Sequence, residues 1–171
     1  MSDDPVIAAA LSFDSFYRDQ YRAVLGLVYS VSGSRWAAED LTQEAFLRAH
    51  RDWARIGRHE APGAWVRREA LNLATSRFRR LAAETRALTR LIGLSSTAFP
   101  TVEPHSDDFW RLVRALPNRQ AQVVALFYLE DRPVREIATV LQISEPAVRG
   151  SLFKARAALA RMLGVSEEVT L

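Results

Sequence analysis

The sequence predicts an all-α protein with two helical domains joined by a flexible linker, the second being a helix-turn-helix domain. Apolar residues recur at helical spacing on both sides of one irregular stretch, and no segment shows sustained strand-like alternation. A chain of 171 residues is long enough for two small domains. We therefore expect helical domains over 1–91 and 107–171, with the linker at 92–106.

Composition excludes several classes of protein. The chain has no cysteine, which rules out disulfides and thiolate metal sites and suits the cytoplasm. No apolar run is long enough to span a membrane, and the N-terminus lacks a secretory-signal pattern. The three histidines are scattered, and no HExxH motif, phosphate loop or Ser/His/Asp arrangement occurs. We expect a cytoplasmic protein that is not an enzyme and carries no cofactor or metal.

The charges fall into blocks along the chain. Residues 51–90 carry 10 cations and 4 acids, residues 91–110 carry 3 acids and no cation, and residues 111–163 carry 9 cations and 4 acids. Nearly all the cations are arginine, which suits bidentate contacts to phosphate or carboxylate. Two polyanion-facing surfaces are one interpretation, and solvated arginine faces are an equal alternative.

The first clear helix is RWAAEDLTQEAFLRAHRDW, residues 35–53. At about 3.6 residues per turn one side is apolar and is predicted to be core: Ala38, Leu41, Ala45, Phe46, Ala49 and Trp53. Leu47 stands on the opposite side, among acids and an amide. This pattern is typical of a partner-docking face, but single exposed leucines are also common, so both interpretations stay open.

A second helix begins near Pro62, which suits a first turn. Its predicted buried side is Val66, Ala70, Leu71, Ala74, Phe78 and Leu81. Its other side carries Trp65, Arg68, Asn72, Ser76 and Arg79. Guanidinium, amide and indole groups on one stripe fit a nucleic acid strand. The alternative is that Trp65 packs under the preceding loop while the other side chains are simply solvated.

After a stretch rich in Gly, Ser, Thr and Pro at 92–106, a helix-turn-helix pattern lies within 136–156. Ser144 is predicted to cap the second helix, and Pro146 falls in its first turn. The predicted buried side of that helix is Val148, Leu152, Ala155 and Leu159. Small residues among cations on its outward side are typical of a recognition helix in a major groove. A packed helical hairpin is the alternative.

Taken in order, FDSFYRDQY, AAEDLTQEAFLRAHR, GAWVRREALNLATSRFRR and ALPNRQAQVVALFYLEDRPVREIATVLQISEPAVRGSLFKARAAL resemble a bacterial sigma factor of the extracytoplasmic-function type, in the sigma-70 family. The resemblance covers roughly residues 13–163. It implies a first domain that binds the clamp helices of core RNA polymerase and melts and reads the minus-ten element. It implies a second domain that reads the minus-thirty-five element and sits on the polymerase flap. The partners would be core polymerase, promoter DNA and, as a further candidate, an anti-sigma factor.

The resemblance also implies roles for particular residues. The clamp-binding set is Asp40, Gln43, Glu44 and Leu47. The minus-ten set is Arg58, His59, Trp65, Arg68, Asn72, Ser76, Arg79 and Arg80, with the loop 57–63 capturing a flipped base. The minus-thirty-five set is Ala147, Arg149, Gly150, Ser151, Lys154 and Arg156.

The sequence departs from the family pattern at several positions. Gln142 stands where glycine is usual, and a left-handed conformation there would cost about 1 kcal/mol. Ser76 replaces an acidic residue, Ser151 a cation and Phe153 a histidine or similar residue. For Phe153 we expect packing on the domain rather than contact with a thymine methyl group.

A two-domain helix-turn-helix regulator that does not direct initiation is the alternative function. Such a protein would need a ligand-binding or dimerisation module in its first domain, and the stripes on 35–80 fit polymerase and strand binding better.

Overall fold

The computed structural model describes residues 11–92 and 108–164, which are helical apart from short turns, with no strand in either range. This confirms the predicted fold class. The helices are α1 Phe13–Ser32, α2 Arg35–Arg51, α3 Trp53–Ile56, α4 Pro62–Ile92, α5 Asp108–Ala115, α6 Asn118–Val124, α7 Val134–Leu141 and α8 Glu145–Met162, with a π-helical turn at Ala125–Leu129 after α6. The start of the predicted linker at 92 is the last residue of α4; the rest of the linker and the chain ends lie outside the described residues.

The N-terminal domain is built from α1, α2 and α4. Side-chain caps begin two of these helices, because the Ser12 and Ser34 hydroxyls accept hydrogen bonds from backbone N–H groups of the first turn. Gly33 separates α1 from α2 with a φ of 68°, the left-handed region that glycine tolerates. A Cβ at this position would also lie 2.8 Å from Nε of Arg114. A larger residue in this turn would therefore strain the backbone and displace the Arg114 side chain.

The predicted core of this domain is confirmed, with one correction. The apolar sides of α2 and α4 pack with α1 around Phe16, Val24 and Val28, and Phe46 is only 2% exposed. Leu81, predicted on the buried side, is 46% exposed. The reason is length: α4 continues beyond the core that its first half covers, and residues 79–88 are all exposed.

The C-terminal helix-turn-helix is also confirmed. The Ser144 hydroxyl accepts a hydrogen bond from the N–H of Ala147, and Pro146 lies in the first turn of α8. The four predicted core positions of α8 are buried. Between α7 and α8, Gln142 has φ 52° and ψ 48°, so a residue with a Cβ occupies the left-handed position where a glycine is favoured.

The two domains share apolar core. Leu27 of α1 and Leu71 of α4 are 0% and 1% exposed. Both belong to a cluster that otherwise comes from the C-terminal domain, including Leu126, Ile137 and Val140. In this structure the helix-turn-helix therefore lies against α1 and α4.

We predict that Gln142→Gly raises the free energy of unfolding by about 0.5–1 kcal/mol. The relief of left-handed strain exceeds the extra entropy that glycine gives the unfolded chain. Chemical denaturation of the full chain measures the change. Gln142→Ala is the matched control, since it removes the side chain but keeps the strain. An equal effect of both substitutions would contradict the prediction.

Candidate nucleic-acid and partner interfaces

The four predicted clamp-binding residues share one exposed side of α2. Leu47 is 44% exposed, and Gln43 beside it is exposed as well. The acids are already paired within the chain: Asp40 Oδ2 lies 3.2 Å from Nη1 of Arg77, and Glu44 Oε1 lies 2.8 Å from Nε of Arg48. Hydrogen bonds to Glu44 and Glu69 raise the pKa of Arg48. The exposed leucine thus shares its side of α2 with acids that already have cationic partners.

The first part of the predicted minus-ten set surrounds a cavity of about 890 Å³. His59 in the turn before α4 lines it together with Trp65 and Arg68, and its other wall includes Arg135 and Gln142 of the C-terminal domain. Arg58 is exposed in the same turn. Trp65 is half-buried and packs against the N-terminal core, so its indole is both a packing group and a wall of the cavity.

The remaining predicted minus-ten residues are open to solvent. Asn72, Ser76, Arg79 and Arg80 are all exposed on α4. Their stripe lies beside the part of α4 that packs against the C-terminal domain. In that part, Thr75 accepts hydrogen bonds from Asn118 Nδ2 at 3.0 Å and from Gln122 Nε2 at 3.3 Å.

The predicted minus-thirty-five residues cluster on α8. Ala147, Arg149, Gly150, Lys154 and Arg156 are exposed, and Ser151 is half-buried. A Cβ at Gly150 would meet nothing within 4 Å, so packing inside the chain does not require a glycine there. Glycine within a helix costs about 0.5–1 kcal/mol relative to alanine. The open space over Gly150 is what close approach of a DNA groove needs.

Phe153 corrects the sequence analysis. Packing was expected, but the ring is 75% exposed on α8. The aromatic residues of the π-helical turn contact Arg156 rather than Phe153. The guanidinium carbon of Arg156 lies 5.5 Å from the Phe127 ring centroid. Nε of Arg156 also donates a hydrogen bond to the Tyr128 hydroxyl at 2.8 Å. Arg156 is therefore held in place along one edge of the predicted minus-thirty-five surface.

The sequence analysis did not predict the buried ion pair that links the two domains. Arg67 of α4 and Glu130, just after the π-helical turn, have side chains 3% and 6% exposed. Nε of Arg67 donates to both Glu130 oxygens, at 2.7 and 3.0 Å. Nη1 donates to Gln20 Oε1 at 2.7 Å and to the Gly63 carbonyl at 3.0 Å. Burial lowers the pKa of Arg67, and the hydrogen bonds to Glu130 oppose that shift.

A sequence signal for Arg67 did exist. It lies four residues before Leu71 and seven before Ala74, on the buried side of α4, and a charge on a buried stripe requires a partner. The identity of that partner, 63 residues away, has no comparable signal.

A further polar contact between the domains lies near the C-terminal end of α1. Nη1 of Arg114 on α5 donates to the Ser30 carbonyl at 3.2 Å, beside the turn at Gly33. Burial lowers the pKa of the Arg114 guanidinium. The contact depends on glycine at position 33, since a side chain there would displace Arg114.

Within residues 11–92 and 108–164, no three His, Asp or Glu side chains are grouped so as to hold a metal ion. In the same ranges we find no helix with the length and apolar character needed to cross a membrane.

Family profiles match both domains. The profile of sigma-70 region 2 matches residues 16–84, and that of sigma-70 region 4 matches residues 106–159. Together these segments make up more than half of the chain.

Individual relatives agree with the profiles. The ECF RNA polymerase sigma factor SigM of Mycobacterium tuberculosis (strain H37Rv) is 27% identical over 168 residues, covering 95% of this chain and 85% of the relative. The ECF RNA polymerase sigma factor BldN of Streptomyces coelicolor is 32% identical over 169 residues, covering 91% and 63%. The probable RNA polymerase sigma factor RfaY of Xanthomonas campestris is 30% identical over 146 residues, covering 78% of this chain but 36% of its own length.

Two solved structures share the fold. One is the sigma factor RpoE in complex with the anti-sigma factor NepR from Bartonella quintana, with a TM-score of 0.71 and 19% identity, covering 91% of this chain and 98% of that one. The other is CnrH in complex with the cytosolic domain of CnrY, with a TM-score of 0.62 and 22% identity, covering 91% and 89%.

We predict that Glu130→Gln separates the two domains. The substitution leaves Arg67 without a counter-charge in a site where losing one partner costs about 3–5 kcal/mol, and separation lets the guanidinium reach water. The radius of gyration from solution scattering should rise while helical content stays unchanged. The matched control is Glu136→Gln, which removes an exposed carboxylate from Arg132. An unchanged radius for Glu130→Gln would contradict the prediction.

Proposed function

The chain belongs to the sigma-70 family as a sigma factor of the extracytoplasmic-function type, and we propose that its two domains divide promoter recognition between them. The first domain binds the clamp helices of core RNA polymerase through the exposed side of α2 that carries Leu47. The turn before α4 and the exposed stripe of that helix read and hold the minus-ten strand. The second domain reads the minus-thirty-five element with α8 and sits on the polymerase flap.

One observation supports this assignment best. An exposed side of α2 that carries Leu47 and a polar, cationic stripe on α4 project from one small helical core, and α8 with its unobstructed glycine projects from the other domain. A helix-turn-helix regulator that does not direct initiation is not favoured, because both sigma-70 regions match the chain. The protein acts in the cytoplasm, and its role is to direct the polymerase rather than to catalyse a reaction.

The packed arrangement has a consequence for how promoters are read. Duplex DNA rises about 3.4 Å per base pair, so elements about 25 base pairs apart lie about 85 Å apart. Domains that share the Leu27 and Leu71 contacts cannot span that distance. Reading both elements at once therefore requires the Arg67–Glu130 contact to open.

An anti-sigma factor is a further proposed partner. The solved structure of RpoE contains a sigma factor bound to the anti-sigma factor NepR, and CnrH was solved in complex with the cytosolic domain of CnrY; both share the fold described above. Binding that favours the packed arrangement would hold the minus-ten and minus-thirty-five surfaces too close together for promoter recognition.

Run-off transcription with purified core polymerase tests the function, and we predict defined start sites that depend on this chain. Leu47→Asp should weaken core binding about tenfold, because a charge replaces an apolar anchor in a desolvated contact. The matched control is Leu88→Asp, which alters a leucine 56% exposed on the far part of α4. Start sites that do not depend on the chain would reject the proposed function. Equal core affinity of the two variants would instead remove Leu47 from the docking face.

Arg149 and Lys154 should have different roles at the minus-thirty-five element. Arg149 pairs with Glu145 at 2.8 Å, but both groups are exposed and the pair is weak enough to exchange for a base. We predict that Arg149→Ala costs about 1–3 kcal/mol at one base position, since arginine can contact guanine bidentately. Lys154→Ala should weaken binding to all sequences and lower the salt slope by about one phosphate contact.

Binding to a panel of single-base promoter variants at two salt concentrations measures both effects. Uniform loss for Arg149→Ala, or base-specific loss for Lys154→Ala, would reverse the two roles. No loss for either variant would place α8 outside the groove.

A further inference from the structure

Trp36, in the first turn of α2, is 67% exposed. The other three tryptophans of the chain, at positions 53, 65 and 110, are half-buried. An indole carries a large apolar surface, and tryptophan is enriched among the residues that dominate protein–protein binding energies. The exposure of this ring is therefore a feature that folding of the chain does not explain.

Trp36 continues the line of the proposed clamp-binding residues. At about 100° per residue, positions 36, 40, 43 and 47 fall within about 60° of one another on the surface of α2. The eleven steps from Trp36 to Leu47 span about 16 Å at 1.5 Å per residue. The two apolar side chains thus lie at opposite ends of a single stripe, about three helical turns long, with Asp40 and Gln43 between them.

Arg77 of α4 holds the ring of Trp36 in place. Its guanidinium carbon lies 4.9 Å from the ring centroid, within the range of a cation–π interaction. The same guanidinium donates to Asp40 through Nη1, 3.2 Å from Oδ2. The indole is therefore oriented before any partner arrives, which lowers the entropy that binding would have to overcome.

The charges on this stripe make apolar anchors the more important contacts. Asp40 is paired with Arg77, and Glu44 with Arg48. Acids that already have cationic partners gain less from a new one than free acids do. Apolar anchors ringed by near-neutral polar groups are the usual arrangement of an interface whose energy is concentrated in a few residues.

We propose that Trp36 is a second apolar anchor of the docking face for the polymerase clamp helices, and that Arg77 positions it. This inference rests on the proposed function, because the occupant is the one assigned to the Leu47 end of the same stripe. A helical partner that lies along α2 contacts Trp36 and Leu47 at the same time. A partner that contacts only Leu47 leaves the indole of Trp36 in water.

Equilibrium binding of the full chain to purified core polymerase, without DNA, tests the anchor. Trp36→Ala should weaken binding about tenfold, and Trp36→Phe, which keeps an aromatic ring, should recover most of the loss. Trp36→Gln should reproduce the loss, and thermal unfolding of each variant shows that the fold is intact. Leu88→Ala is the control for an exposed apolar residue outside the face and should stay within twofold. Wild-type affinity for Trp36→Ala assigns the ring to another partner and overturns the proposal.

A double-mutant cycle tests the role of Arg77. Arg77→Ala alone should weaken core binding about threefold, and in the Trp36→Ala background it should cause little further loss. A threefold loss that persists in that background means that Arg77 acts through Asp40, which overturns its positioning role.

The controls separate this inference from the proposed function. Failure of the wild-type chain to bind core polymerase rejects both. Wild-type binding that is sensitive to Leu47→Asp but not to Trp36→Ala rejects the second anchor and leaves the proposed function intact.

Discussion

The ion pair between Arg67 and Glu130 determines how the two domains pack. Removing two charges from water is costly unless they are paired and hydrogen-bonded, and here Gln20, Arg132 and the Gly63 carbonyl complete the set. A shift of α4 by one residue would rotate Arg67 by about 100°, break its contact with Glu130 and leave the buried guanidinium without a counter-charge. The pair therefore fixes the rotational setting of the shared core around Leu27 and Leu71, which apolar packing would specify less sharply.

Periodicity in the sequence was enough to predict an all-helical fold and the inner faces of α2, α4 and α8. The positions that are buried as their spacing indicates include Phe46 and Leu71 in the N-terminal domain and Val148 and Leu152 in the C-terminal domain. The two errors have a common cause. Leu81 and Phe153 have apolar side chains, but whether such a side chain is covered depends on what a distant segment supplies, which local spacing does not encode.

Local spacing also limited what could be predicted about the proposed binding sites. Helical spacing was sufficient to place Asp40 and Leu47 on one exposed face. It did not show that Arg77 already neutralises Asp40, because that contact joins residues 37 positions apart. The exposed faces that we propose for promoter and polymerase binding could thus be predicted from the sequence, whereas the internal partners that hold their side chains in place required the tertiary structure.

The length of α4 bears on how strongly the domains must attract each other. Its 31 residues span about 46 Å, and its exposed second half extends away from the core that the first half helps to build. The domains are parts of one molecule, so the contact between them is intramolecular. Covalent connection of two binding surfaces creates effective concentrations that reach the order of millimolar. A contact too weak to join two separate molecules at micromolar concentration can therefore keep the chain closed, yet yield readily to a polymerase or promoter surface that binds the open form.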